Sequence, residues 1–227
     1  MNSKYLKDNK YLKMARQAIE ENNIEEALKF YDTAKTEDPD NVEAMFFYQY
    51  YTLIKWTGIK TLKQYEVVEE LAYIIIKALG ECDDTEEAKF DLLSRVVDAF
   101  LPLAGILRHY TLQLDNGVTE ATRSTAEKFQ NNHIKNAKGL GNAIIDTFGE
   151  EKGLYTDLAV KCWKEAIDFD FACCKYLNYK DKDKEVWMHK YEKKIQKYDP
   201  SYKMPEYKQV GCFAIGDAAK AQPRSED

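Results

Sequence analysis

The chain has 227 residues, of which 44% are hydrophobic and 13% aromatic. That is too apolar for disorder and long enough for one large domain or two small ones with a sizeable core. Its formal charge of −6 disfavours a general nucleic-acid binder, for which phosphate neutralisation is the main source of affinity. The longest uncharged apolar run, Ala99 to Leu107, is nine residues, well short of the roughly 20 needed to cross a bilayer.

Only 10 glycines and 5 prolines punctuate a sequence rich in Lys, Glu, Ala and Leu, a composition that favours helix throughout. No alternating apolar run with a turn dipeptide argues for a sheet. The five cysteines, Cys82, Cys162, Cys173, Cys174 and Cys212, form no CxxC pair. With no secretory leader visible, they read as reduced thiols of a cytoplasmic protein.

The most specific spacing lies near the N-terminus. Tyr11, Met14, Ala15 and Ala18 share one helical face; Ala27, Tyr31 and Ala34 share another; Pro39 closes the second arm. Small residues on both faces allow two helices to approach closely. Asn23 with Glu26 forms a capping-box-like signal for the second helix, and Asp40 with Glu43 repeats it for the next.

This hairpin resembles a tetratricopeptide repeat (TPR), with Tyr11, Ala27, Tyr31, Ala34 and Pro39 matching and Met14, Ala15 and Ala18 departing from the pattern. In a following repeat only Tyr65 and Val68 fit comfortably. The resemblance implies a hairpin stacked on neighbouring helices and a protein or peptide partner. It places Asn9, Leu12 and Arg16 of the first helix, with Glu43, Phe46, Phe47 and Tyr50 of the third, on an inner groove. Aromatics at such spacing also suit a core. The carboxylate clamp by which some members grip chaperone tails is not matched, because Leu12, Arg16 and Phe47 stand at the corresponding places.

A third helix is predicted over Asn41 to Thr57, stopped by Gly58, and a fourth from Leu62 to Leu79. Asp84 with Glu87 suggests the start of a fifth, running to Leu114. This fifth helix is apolar on two sides, hence central, and is kinked or split near Asp98 by Pro102. A sixth opens at Thr119 and is polar through Asn136. Half of the glycines fall between Gly117 and Gly153, which marks that stretch as the flexible or boundary region. Leu158 to Leu177 has the spacing of a packed seam, and a last helix runs from Lys184 to Tyr198. Gly211-Cys212-Phe213 resembles the start of a tail found in some uncharacterised bacterial repeat proteins.

The resulting expectation is an all-α protein of seven or eight helices, a TPR-like hairpin stacked on an irregular antiparallel helical bundle. One domain covers residues 1–200, with the hairpin at 4–38, a degenerate helix pair at 41–79 and a mobile tail at 201–227. No catalytic, cofactor or metal motif stands out. His109, His133 and His189 lack HxxxH or HExxH spacing and read as solvent-facing or hydrogen-bonded. Cys173-Cys174 lacks the two-residue spacer of a redox pair, and Gly139-Leu140-Gly141 lacks the Lys-Ser/Thr of a phosphate loop.

Non-catalytic protein interaction or scaffolding is the expected function. A helical-bundle enzyme or small-ligand binder would instead place its site between Val96–Leu107 and Cys162–Tyr176. Lys175 to Lys208 holds ten lysines against six acids and six tyrosines, a local excess of +4 that leaves −10 for the rest. This stretch raises a third reading, surface attachment to nucleic acid or anionic lipid.

Overall fold

The computed structural model describes residues 9–55, 62–113, 120–151, 153–177 and 182–205. Residues 4–8, Gly58, Asn116-Gly117 and the tail beyond 205 lie outside the described residues, as do the side chains of His109, Cys173 and Cys174. The described residues are all-helical: α1 (Lys10–Glu20), α2 (Ile24–Glu37), α3 (Val42–Lys55), α4 (Leu62–Glu81), α5 (Glu86–Gln113), α6 (Glu120–Phe148), α7 (Leu154–Leu177) and α8 (Lys182–Gln196).

Local chemistry fixes the first three helices. Asn9 caps α1, its side chain accepting from the Leu12 amide at 2.9 Å. Asn22 supplies the positive φ of 57° that reverses the chain, a conformation Asn tolerates better than most residues. Asn23 then caps α2, accepting from the Glu26 amide and donating to the Glu26 carboxylate at 2.7 Å. So short a link between packed helices makes an antiparallel hairpin. Ala15, Ala18, Ala27, Tyr31 and Ala34 are all buried in it. The next cap differs from expectation: Asn41 accepts from the Ala44 amide at 3.0 Å, which leaves Glu43 for another task. Likewise Thr85, rather than Asp84, caps α5 through the Ala88 amide.

The N-terminal helices pack in succession, α1 on α2, α2 on α3 and α3 on α4. From α4 onward the chain forms a bundle in which α6 packs against α4, α5 and, most extensively, α7, while α8 lies on α7. Its core includes Tyr65, Ile75, Leu93, Phe100, Ile144 and Trp163.

Of the two outcomes expected at Pro102, a kink or a split, the split does not occur: the ring sits on an exposed position of a continuous helix, where water can serve the carbonyl that loses its donor. Most of the glycine-marked stretch is one helix, because α6 runs unbroken from 120 to 148. A Cβ added at Gly141 would fall 2.4 Å from Trp163 Nε1 and 2.8 Å from the Ala159 carbonyl oxygen, and one at Gly139 would fall 2.3 Å from the Tyr73 hydroxyl. These glycines let α6 approach α7 and α4 closely rather than loosening the chain.

Lysine–aromatic layers seat α8. Lys138 lies 4.1 Å from the Trp187 ring centroid and Lys194 lies 4.2 Å from that of Trp163, an attraction strengthened by partial desolvation. Lys194 also donates to Asn142 Oδ1 at 2.7 Å, and the Asn142 amide donates to the Tyr191 hydroxyl. Lys197 pairs with Glu150. Beyond α8 the chain is held back against the body. Lys164 pairs with Asp199 at 2.8 Å, the Met204 amide donates to Glu192, and the Gln196 amide donates to the Tyr202 carbonyl. The Lys164 and Ser201 hydrogen bonds pull the Asp199 carboxyl down to about 2.

Candidate functional site

A cleft of about 550 Å³ opens where the N-terminal helices face α5, within the size range of ligand-binding pockets. One face of each helix supplies its lining: Arg16, Ile19 and Glu20 from α1; Phe47, Tyr50 and Tyr51 from α3; Asp91, Arg95, Asp98 and Ala99 from α5. Three- and four-residue steps bring each of these sets onto one side of its helix. Tyr31 of α2 completes the wall.

Glu43 joins the sides of the cleft. Its side chain is only 2% exposed, against 35% for Arg16 and 28% for Arg95. Arg16 donates to it through Nε at 2.8 Å and Nη2 at 2.6 Å, and Arg95 donates through Nη1 at 2.8 Å. Burial on its own would raise the Glu43 carboxyl pKa; the arginine hydrogen bonds and charges overcome this and hold it below the ordinary carboxylate range. Arg95 also donates from Nε to Asp91 at 3.0 Å and lies over the Phe47 ring, 5.4 Å from its centroid. A buried carboxylate is stable there only because two forked cations meet it with good geometry.

The wall is a layered set of rings. Tyr31, Phe47 and Tyr51 stack pairwise with centroids 5.6 to 6.0 Å apart, and Tyr50 meets Tyr51 edge-on at 5.0 Å. Burial, then the neighbouring Tyr50, pushes the Tyr51 phenol up to about 12; burial and Glu43 push Tyr31 up as well. At neutral pH these side chains are uncharged rings carrying hydroxyls, suited to contact and hydrogen bonding rather than proton transfer.

The residues expected on an inner groove separate into three groups. Arg16, Phe47 and Tyr50 border the cleft, Phe47 and Tyr50 as buried core residues, and Glu43 is buried between the arginines. Leu12 and Phe46 belong to the core at 1% and 0% exposure, and Asn9 is a helix cap. The sequence reading missed Ile19, Glu20, Tyr31 and Tyr51 as cleft residues, along with everything from α5. The 91/95/98/99 spacing was available, but only the tertiary fold brings it opposite α3.

The bundle holds a second polar centre, close to where the alternative small-ligand reading would place a site. His133 of α6 is fully buried, and among the described residues neither ring nitrogen has a hydrogen-bond partner. Phe169 meets its ring edge-on at 4.5 Å, and Glu165 Oε1 lies 3.9 Å from Nε2. Nearby on the same helix, Gln130 donates to the buried Asp170 at 2.9 Å. His133 is thus neither solvent-facing nor hydrogen-bonded, contrary to expectation; His189 is paired with Glu192.

A cleft of about 660 Å³ runs between α7 and the turn at Tyr198–Pro200. Its lysines are already engaged, Lys161 with Asp98 and Lys164 with Asp199. Cys82 and Cys162 are buried free thiols, and burial raises both. Among the described residues no cluster of three or more His, Cys, Asp or Glu could hold a metal, and no helix is long and apolar enough to cross a membrane. Compared with protein-family models, curated proteins and solved structures, the chain matches none.

Proposed function

We propose that this is a non-catalytic, cytoplasmic interaction or scaffold protein that seats a protein or peptide partner in the cleft between α1, α3 and α5. The observation that carries this reading is the composition of the cleft wall. Tyr51 stands half-buried beside two partly exposed arginines, backed by the buried rings of Tyr31, Phe47 and Tyr50, and aromatic and arginine side chains dominate the energetic centres of protein interfaces. The wall is also preorganised: ring stacking and the Arg16–Glu43–Arg95 bridge fix the side chains before a partner arrives, which lowers the entropy cost of binding. The resemblance of residues 11–39 to a TPR hairpin adds a family precedent for the same use.

The test is affinity capture from cell extract with three proteins: the wild-type chain, a Tyr51→Ala variant and an Ile74→Ala variant. Tyr51 is half-buried in the cleft, whereas Ile74 is an exposed apolar residue of α4 away from it. A partner retained by wild type and Ile74→Ala but lost by Tyr51→Ala supports the proposal. Equal recovery by all three argues against the cleft.

A further inference from the structure

We infer that the segment seated in this cleft presents a cationic side chain, lysine or arginine, to its mouth. This rests on the reading of the cleft as a docking site and adds the chemistry of the occupant. The argument is one of charge. The two arginines of the lining are outnumbered by Glu20, Asp91, Asp98 and the underlying Glu43, and they are already committed. Arg16 makes two hydrogen bonds to Glu43, and Arg95 bonds both Glu43 and Asp91.

An anionic ligand would therefore have to take donors from a carboxylate that is 2% exposed and already well bonded, leaving that charge buried and under-served. A cation meets carboxylates held only in exposed pairs, Asp91 by Arg95 and Asp98 by Lys161, which it can share without uncovering a buried charge. Glu20 stands exposed at the mouth, Asp91 is 65% exposed, and Asp98 meets Lys161 only in a pair whose members are each about half exposed, where water screens the attraction. The tyrosine rings add negative π faces alongside. The setting is acidic too, since the chain outside Lys175–Lys208 carries −10.

The experiment uses two fluorescein-labelled octapeptides with the same leucine framework, one carrying two lysines and the other two glutamates. Anisotropy titrations are run with the full chain, with Glu20→Gln/Asp98→Asn, and with Glu66→Gln/Glu70→Gln, a control pair exposed on α4. The inference predicts binding of the lysine peptide only. Affinity should fall by up to about fivefold for each cleft carboxylate neutralised, fall again at high salt, and be unchanged in the α4 control.

Preference for the glutamate peptide overturns the cationic occupant and leaves the docking reading standing. Lysine-peptide binding that weakens equally in both double variants also overturns it, by revealing a diffuse charge effect. If neither peptide binds at roughly millimolar concentration, both the inference and the docking reading fall.

Discussion

Arg95 on α5 reaches Glu43 on α3 with Nη1 2.8 Å from Oε1, so an ion pair spans the floor of the cleft and ties the N-terminal helices to the bundle. Removing the carboxylate leaves Arg16 and Arg95 facing each other without their shared anion. Glu43→Ala should cost about 3–5 kcal/mol, read as a lower urea midpoint. The pH dependence has a definite sign. Because the folded Glu43 carboxyl is held below the ordinary carboxylate range, its contribution is complete above that range and is lost as pH falls through the depressed folded value. Glu43→Gln should flatten the acid limb of the stability curve; an unchanged limb would show that the bridge contributes little.

Gly141 should not tolerate a side chain. Its Cβ position is 2.8 Å from a backbone oxygen of α7 and 2.4 Å from the Trp163 indole nitrogen, and backbone cannot step aside as a flexible chain end can. Gly141→Ala gains helix propensity, yet it should lower stability by about 1–3 kcal/mol through overpacking. A raised melting temperature would refute the close α6–α7 crossing.

Neither ring nitrogen of the buried His133 has a hydrogen-bond partner among the described residues, with Glu165 standing 3.9 Å off, and such buried groups cost stability that an apolar side chain of similar size recovers. His133→Leu should therefore raise the chemical denaturation midpoint, by about 1 kcal/mol in free energy. Replacing the buried core residue Leu93 by Ala should lower it by about 2–5 kcal/mol. If His133→Leu behaves like Leu93→Ala, the imidazole is making an interaction that stabilises the bundle.

Asp199 holds its carboxyl near 2 through Lys164 and Ser201. In a Lys164→Met variant the carboxyl pKa should move up toward the ordinary range, as followed by carbon NMR of the labelled side chain. Asp199 favours the folded state above the ordinary carboxylate range and loses that contribution as pH falls toward 2, so the variant should be less pH-sensitive there. A value unmoved by the substitution would mean that this ion pair does not persist in solution.

The hairpin could be read from the sequence because its determinants are near neighbours: alanines at helical spacing, and Asn23 within reach of Glu26. Where the sequence misled, a distant residue reversed a local rule. Gly139 and Gly141 weaken an isolated helix, but Tyr73 and Trp163 make glycine necessary there. Asp40-x-x-Glu43 has capping spacing, yet Glu43 is claimed by Arg16, 27 residues away, and by Arg95, 52 residues away. The cleft was half legible for the same reason. Arg16, Phe47 and Tyr50 follow from helical repeat geometry, whereas the α5 wall depends on how the bundle folds back. Within the basic stretch Lys175–Lys208, the contacts of Lys194 with Asn142 and Trp163 and of Lys197 with Glu150 likewise depend on residues distant in sequence.

The most direct test of the cleft as a docking site is photo-crosslinking in living cells, with p-benzoylphenylalanine at Tyr51 and, separately, at Ile74. The account predicts a discrete adduct from position 51, suppressed by a second substitution of Glu20 to Lys, and none from position 74. Adducts of the same mass from both positions, or from position 74 alone, would contradict it.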